Sequence, residues 1–289
     1  MATGPGFLRR PARIQEPGPL VKPVTCLPFG PFCRGQPWRM AELHDRQTDL
    51  LVWMTRGQGR AVINGLRRGF GAHGALFLPA GTLFSVEPGA QAYLQVIEAP
   101  KGLLPQPVPG PLLLRVRDSL GQAELTACFE AMQRETAYGR THLQDALRAH
   151  LGLVGVWLRR QFEAGATDRP PDNATTRLAR RFAHLVVADF RTDRAMAEYA
   201  EALGVTATHL TRTCRAACGK TASEIITERK LYEAKLMLGS AGPPIQEVAR
   251  TLGFNSAAYF TRFIQNHTGL SPSALRKRAQ TASHVRGPA

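Results

Sequence analysis

A short segment occurs twice in the C-terminal part of the chain. Residues 200–212 are matched by residues 249–262: each copy has an Ala, a Gly four positions later, then an apolar residue, and it ends in apolar-Thr-Arg. The small Ala lets a second helix cross closely, and the Gly takes the positive φ that a tight turn between helices requires. The repeat predicts two helix-turn-helix units, whose second helices present side chains to a major groove.

The residues around each copy support this interpretation. Thr206 and Asn255 are the expected caps of the two second helices. Between the copies, Ala222 to Leu238 has a continuous helical pattern that ends at Gly239. A helix of that length can hold both second helices on one face, roughly 34 Å apart, so that they enter successive major grooves.

The charge balance favours a polyanionic partner. The 289 residues include 37 Lys and Arg against 22 Asp and Glu, which gives a net charge of +15. Nucleic acid is the expected partner and an anionic membrane surface the alternative. The excess is spread over both halves of the chain, so charge alone does not say which half binds. Composition excludes a wholly disordered, collagen-like or membrane-spanning chain.

The N-terminal half has the pattern of a β domain. Short β-type runs separated by turn signals occur at residues 50–54, 60–63, 75–78, 83–86, 92–97 and 112–116. Asn64-Gly65 predicts a hairpin, because both residues tolerate positive φ. Many short strands at regular spacing predict a β-sandwich or barrel.

Breaks in these patterns divide the chain into five parts. Residues 1–36 are a Pro- and Gly-rich arm, 37–164 the β domain with its helices, 165–173 a polar linker, 174–280 an all-helical domain and 281–289 a tail. The expected fold class is α+β with two domains.

The C-terminal motifs are specific enough to indicate a family. Residues 244–254, then 259–263, 269–272 and Arg276 resemble the C-terminal signature of the AraC/XylS family of bacterial transcription regulators. The match covers about residues 175–278. The resemblance implies a paired helix-turn-helix domain behind a small, cupin-like β-barrel that binds an effector and dimerises.

The resemblance also implies which side chains meet DNA. Carried over position by position, the groove-facing residues are Thr206, Ala207, Thr208, Thr211 and Arg212 in the first unit and Ser256, Ala257, Ala258, Thr261 and Arg262 in the second. The two arginines can read guanine or hold a phosphate. The chain departs from the family at Cys214, which replaces a core Phe, at Leu275, which replaces an aromatic residue, and at Gln265, where a basic residue is common. The first departure predicts a less tightly packed first unit.

Two further sites are expected in the N-terminal part. An apolar stripe at steps of three and four predicts a long helix, which is a candidate dimer interface: Leu143, Leu147, Leu151, Val154 and Leu158. Trp38, Trp53 and His73 are candidates for an effector pocket. For both sets, packing in the chain's own core is the alternative.

The β segment carries too few ligands for a metal-cupin enzyme. It offers His44 and His73 without a His-x-His motif, and Phe84 follows the turn where such an enzyme places a His. No cofactor, metal or catalytic residue is expected.

The five cysteines are an odd number without CxxC pairs, and no signal or spanning segment is apparent. A reduced, cytoplasmic, soluble protein is therefore expected.

Together these features predict a sequence-specific transcription regulator, an effector-responsive activator that binds promoter DNA as a homodimer. RNA polymerase is a further expected partner, and no membrane is. One alternative is an effector-independent DNA-binding protein whose barrel only dimerises. The other is a metal-cupin enzyme fused to a DNA-binding domain.

Overall fold

The computed structural model describes residues 22–104, 110–240 and 242–284, with side chains described as far as Thr281. Within these ranges a part rich in strands precedes a helical part. The strands are β1 (Thr25–Pro28), β2 (Thr48–Arg56), β3 (Gln58–Ile63), β4 (Leu66–Gly71), β5 (Gly74–Leu78), β6 (Phe84–Pro88), β7 (Tyr93–Pro100) and β8 (Leu112–Arg115). The helices are α1 (Phe29–Phe32), α2 (Trp38–Ala41), α3 (Ser119–Tyr138), α4 (Leu143–Glu163), α5 (Ala174–Asp189), α6 (Met196–Ala202), α7 (Ala207–Cys218), α8 (Ala222–Gly239), α9 (Ile245–Thr251), α10 (Ala257–Thr268) and α11 (Pro272–His284).

The strands form two antiparallel sheets. One has the order β1-β7-β2-β5-β8 and the other β4-β3-β6. Asn64 and Gly65, at φ +46° and +74°, connect β3 and β4 as the predicted hairpin. The expected β domain followed by a helical domain is confirmed. Among the described strands, however, ladder pairing does not join the two sheets into one closed barrel.

The five-stranded sheet, with β2 as its central strand, lies between the three-stranded sheet on one face and α3 and α4 on the other. Because successive side chains of a strand point to opposite faces, Leu50 and Val52 pack between the two sheets, whereas Leu51 and Trp53 pack against α3 and α4. The outer face of the three-stranded sheet carries Val62, which belongs to the core of the helical domain. The β domain, here β1 to α4, and the helical domain, here α5 to α11, therefore share a buried contact.

The apolar stripe of α4 lies in this core rather than on a surface. Leu147, Leu151, Val154 and Leu158 are at most 1% exposed, and Leu143 packs partly buried against them. The helix was predicted correctly. Other parts of the same chain cover the side chains of the stripe, so their expected place at a dimer interface is corrected to the core of the β domain. The reason is that amphipathic spacing identifies a buried face but not what buries it.

The predicted linker is bound to the β domain. The backbone N–H of Asp168 donates to the carbonyl of Leu113 at 2.8 Å, and that of Arg115 donates to Ala166 at 2.8 Å. Asn173 then caps α5, with its side chain accepting from the backbone N–H of Thr176 at 2.9 Å. Of the expected arm, residues 1–21 lie outside the described residues, and residues 22–36 contain β1 and α1. Residues 285–289 of the tail also lie outside them.

Candidate nucleic-acid interface

The first repeat forms a helix-turn-helix unit from α6 and α7. Gly204 has φ +71° in the turn between the helices, as the repeat predicts. Thr206 caps α7, because its hydroxyl accepts from the backbone N–H of His209 at 3.2 Å. The cap satisfies an N–H group that has no partner within the helix and fixes where α7 begins.

One face of α7 is buried and the other is exposed. Leu210 and Cys214 are at most 1% exposed within the helical core. Burial raises the pKa of the Cys214 thiol to about 12, so it acts as a small neutral apolar side chain. Thr208 and Arg212, four positions apart, lie on the exposed face.

The second repeat forms a corresponding unit from α9 and α10. Gly253, at φ +72°, lies in the turn. The cap of α10 is Ser256, whose hydroxyl accepts from the backbone N–H of Tyr259 at 3.1 Å. Asn255 was the expected cap and that prediction is wrong: the copy is one residue longer after its Gly, which moves the cap by one position.

The exposed face of α10 carries the equivalent side chains. Phe260 and Ile264 are fully buried, whereas Ala258 and Arg262 are exposed. Arg262 lies six positions after its cap, as does Arg212 in the first unit. Among the described residues neither arginine has an ion-pair or hydrogen-bond partner, so both guanidinium groups are available to an anion.

The ten side chains predicted to meet DNA are not equally accessible. Thr206, Thr208, Arg212, Ser256, Ala258 and Arg262 are exposed, and Ala207, Thr211, Ala257 and Thr261 are half-buried. The Thr261 hydroxyl donates to the carbonyl of Ala257 at 2.8 Å, so its hydrogen is not available to a base. These positions remain predicted DNA contacts.

Sequence reasoning missed several exposed side chains on the same two helices. They are His209, Arg215, Tyr259 and Asn266. Helical spacing alone places Arg215 three positions after Arg212 on one face. Tyr259 is 57% exposed despite its apolar ring, which leaves that ring accessible to a base or sugar.

The helix α8 holds the two units together. Its 18 residues span about 27 Å. It begins with a capping box, in which the Thr221 hydroxyl accepts from the Glu224 N–H at 3.1 Å and the Glu224 carboxylate accepts from the Thr221 N–H at 2.6 Å. It packs against both α7 and α9. The expected linking helix is confirmed.

A buried ion pair joins the β domain to α8. Arg229, 2% exposed, donates to Asp45 at 2.7 Å and to Glu233 at 3.0 Å. Its guanidinium also lies 3.7 Å from the centroid of the Phe190 ring. A desolvated charge needs such partners, so the contact fixes α8 relative to the loop that carries Asp45.

Aromatic side chains extend this contact along α8. The His44 ring stacks on Tyr232 with centroids 4.2 Å apart, and the Tyr232 hydroxyl donates to the carbonyl of Arg39 at 3.2 Å. Lys235 pairs with Glu42 and lies 5.4 Å from the Trp38 ring. Residues 38–45 therefore form a strap across the helix that positions both units.

The three residues expected in an effector pocket do not lie together. Trp38 belongs to the strap, packed edge-on against Tyr232. Trp53 is fully buried in the β domain, where its indole N–H donates to the Thr126 hydroxyl at 3.2 Å. His73 lies in the turn before β5, with its ring centroid 6.1 Å from that of Trp53. Trp53 and His73 are neighbours, and Trp38 is separate from them.

The described ranges also bear on two other classes of protein, metal enzymes and membrane proteins. No group of three His, Cys, Asp or Glu side chains within these ranges is arranged to hold a metal ion. No described helix is both long and apolar enough to span a membrane.

Comparison with known proteins identifies the helical part. Residues 199–278 match a family model described as a helix-turn-helix domain. The chain is similar to the arabinose operon regulatory proteins of Salmonella typhimurium and Escherichia coli K12, with 29% identity over 124 residues in each case. These alignments cover 43% of this chain and 43% and 42% of the two relatives. The chain thus spans less than half the length of those regulators.

Solved structures show a more distant likeness. The unsaturated-fatty-acid-bound ToxT of Vibrio cholerae aligns over 88% of this chain and 94% of its own, with 12% identity and a TM-score of 0.41. The C-terminal domain of AraT, a response regulator of Geobacillus stearothermophilus, aligns over 37% of this chain and 88% of its own, with 24% identity and a TM-score of 0.35.

Proposed function

We propose that the protein is a sequence-specific transcription regulator of the AraC type, whose helix-turn-helix domain, matched at residues 199–278, reads two successive major grooves of promoter DNA. The observation that carries the proposal is the pair of capped helices α7 and α10. Each has one buried face and one exposed face, and each exposed face carries an arginine, Arg212 or Arg262, without a protein partner among the described residues.

The geometry of α8 supports reading by both units at once. A helix about 27 Å long, packed against α7 and α9, keeps the two units at one separation. Successive major grooves on one side of B-DNA are about 34 Å apart. The two reading helices then approach the same face of the duplex, where Arg212 and Arg262 contact guanine or phosphate.

The protein acts as an effector-responsive activator in the cytoplasm, as a homodimer that contacts RNA polymerase. Two domains joined by residues 165–173 carry this function: the β domain, which we extend from 37–164 to include β1, and the helical domain 174–280. The strap over α8 favours a responsive regulator over one whose β domain only dimerises, since a change in the β domain reaches both units through Arg229 and Tyr232.

The experiment is selection of a randomised duplex pool with the full chain at several salt concentrations. We expect an enriched motif with two short blocks about one helical turn, or about 10 base pairs, apart. We expect Arg212→Ala to weaken the base preference at one block of the motif and Arg262→Ala to weaken it at the other. Arg159→Ala is the matched control and leaves the motif unchanged, because this exposed arginine of α4 has no ion-pair partner within the described ranges. Enrichment of no sequence, with affinity that only falls as salt rises, would contradict the proposal.

A further inference from the structure

An arginine of the β domain lies at the end of the first reading helix. Arg67 on β4 is directly opposite Val62 on β3, so both side chains leave the same, outer face of the three-stranded sheet. Val62 enters the core of the helical domain, and β4 contacts α7. A Cβ placed on Gly219, the residue that caps the C-terminal end of α7, would lie 3.9 Å from the Nη1 atom of Arg67. The guanidinium of Arg67 therefore lies against this end of the helix.

This end of α7 continues the exposed face of the helix. Thr208, Arg212, Arg215 and Gly219 follow each other at steps of four, three and four, so they form one row, and all four are exposed. Gly219 has no side chain, and the guanidinium of Arg67 lies beside it. The β domain thus adds a cation to the row that includes two predicted DNA contacts.

The other charged groups close to this end of α7 are compensated. Lys220 pairs with Glu228. Hydrogen bonds within its capping box, and then the positive charges of Arg215 and Lys220, lower the pKa of Glu224, so an ionised carboxylate stands near Arg215. Arg67 makes no ion pair or hydrogen bond within the described ranges. The charge of Arg67 is therefore the one left over at this point.

The sheet does not neutralise Arg67 either. Glu87 is the one acidic residue of β3, β4 and β6, and it lies opposite Arg60, two positions along β3 from Val62. Arg67 is exposed. An exposed guanidinium without a protein partner is available to an anion from outside the chain, and phosphate suits its fork of N–H donors.

The phosphates of DNA lie where this arginine points if α7 enters a major groove. In helix-turn-helix complexes the N-terminal residues of the second helix contact the base edges. The 12 residues of α7 span about 18 Å, and a duplex curves away from a straight helix of that length. The C-terminal end of α7 then lies beside the sugar-phosphate backbone, together with the side chain next to Gly219.

From these observations we propose that Arg67 binds a phosphate of the DNA backbone at the first unit, so that the β domain takes part in DNA binding directly. The choice of DNA as the partner rests on the proposed function. The contact itself carries no sequence information, because a phosphate contact positions a protein without reading bases. It holds the β domain, and not only the helical domain, in a fixed place on the duplex.

The test is the salt dependence of the affinity of the full chain for a duplex of random sequence, measured for the wild type and for Arg67→Gln. Each phosphate contact contributes about 0.9 to the slope of log affinity against log salt concentration. We expect Arg67→Gln to lower the slope by about that amount. The ratio of wild-type to variant affinity should then fall about 3.5-fold between about 50 and 200 mM salt.

Two variants control for charge and for packing. Arg56→Gln removes the same charge from an exposed arginine just before β3, whose first residue is four positions, or about 13 Å, from Val62. That distance exceeds the screening length of about 10 Å at 0.1 M salt, so the slope should not change. Arg67→Lys keeps the charge and should retain the wild-type slope, which a purely structural role of the guanidinium would not predict.

Equal slopes for the wild type and Arg67→Gln, or equal decreases in Arg67→Gln and Arg56→Gln, would overturn the proposed contact. The same decrease in Arg67→Lys and Arg67→Gln would overturn it as well. The proposed function fails separately. A chain that selects no sequence but loses slope in Arg67→Gln contradicts sequence-specific reading alone, and one that selects a motif with no change of slope contradicts the Arg67 contact alone.

A second measurement locates the contact on the duplex. Phosphates next to the block that Arg212→Ala weakens are replaced one at a time by neutral methylphosphonates in the selected duplex. At one or two positions the wild type should lose affinity and Arg67→Gln should not, because the variant no longer makes the contact that the replacement removes. Equal losses in both proteins at every position would overturn the proposal.

Discussion

Asp45 accepts a 2.7 Å hydrogen bond from Arg229, although 184 positions separate the two residues in the chain. The side chains are 7% and 3% exposed, so this ion pair is desolvated. It joins the strap of the β domain to the helix that spaces the two DNA-binding units. This buried charge and its partners are therefore among the contacts that fix the helical domain on the β domain.

We predict that Asp45→Asn destabilises the protein by about 3 kcal/mol, because it leaves a buried guanidinium with Glu233 as its remaining anionic partner. The measurement is the urea midpoint of unfolding. Asp172→Asn, which breaks the exposed pair with Arg177, is the control and should change stability by less than about 1 kcal/mol. Equal effects of the two substitutions would contradict the predicted contribution of the buried pair to stability.

His44 makes stability depend on pH. Burial holds the pKa of its imidazole well below 6.5, helped by the nearby positive charges of Arg46 and Arg229. The unfolded chain therefore binds a proton that the folded chain does not. Stability is unaffected by this group above pH 6.5 and falls by up to about 1.4 kcal/mol per pH unit below it.

The pH prediction is checked by urea unfolding at pH 7.5 and pH 5.5 for the wild type and for His44→Gln. We expect the wild type to lose more stability than the variant between the two pH values, by about 1 kcal/mol. The same loss in both proteins would mean that His44 is not the group responsible.

The caps of the reading helices give a third prediction. Thr206→Ala and Ser256→Ala should each cost about 1 kcal/mol of stability, because each removes the acceptor for a backbone N–H at a helix start. Asn255→Ala is the matched control: its side chain makes no hydrogen bond among the described residues, so its substitution should have little effect. Thermal unfolding of the three variants distinguishes the caps, and a larger loss for Asn255→Ala would reverse the assignment at α10.

Local signals account for what the sequence predicts correctly. Asn64-Gly65 specifies its hairpin because few other residue pairs tolerate positive φ at both positions. The repeated Gly204 and Gly253 locate the two turns for the same reason. In contrast, β4 was missed because its residues Leu66–Gly71 include two arginines and two glycines, and β1 because it lies in a Pro-rich stretch.

The features that the sequence does not predict depend on contacts between residues that are distant in the chain. The stripe containing Leu151 and Val154 predicts a buried face, but only the folded chain shows that α3 and the five-stranded sheet cover it. No local pattern pairs Asp45 with Arg229. The strap is thus a product of domain packing, which hydrophobic periodicity does not encode.

The proposed function requires that α8 hold the two helix-turn-helix units at one fixed spacing. This spacing is tested most directly by measuring the affinity of the full chain for its selected duplex and for duplexes with 5 or 10 base pairs inserted between the two blocks. We predict that both insertions reduce affinity to that of a single block: 5 base pairs turn the second block to the opposite face, and 10 move it about 34 Å away. An unchanged affinity with either insertion would contradict the claim.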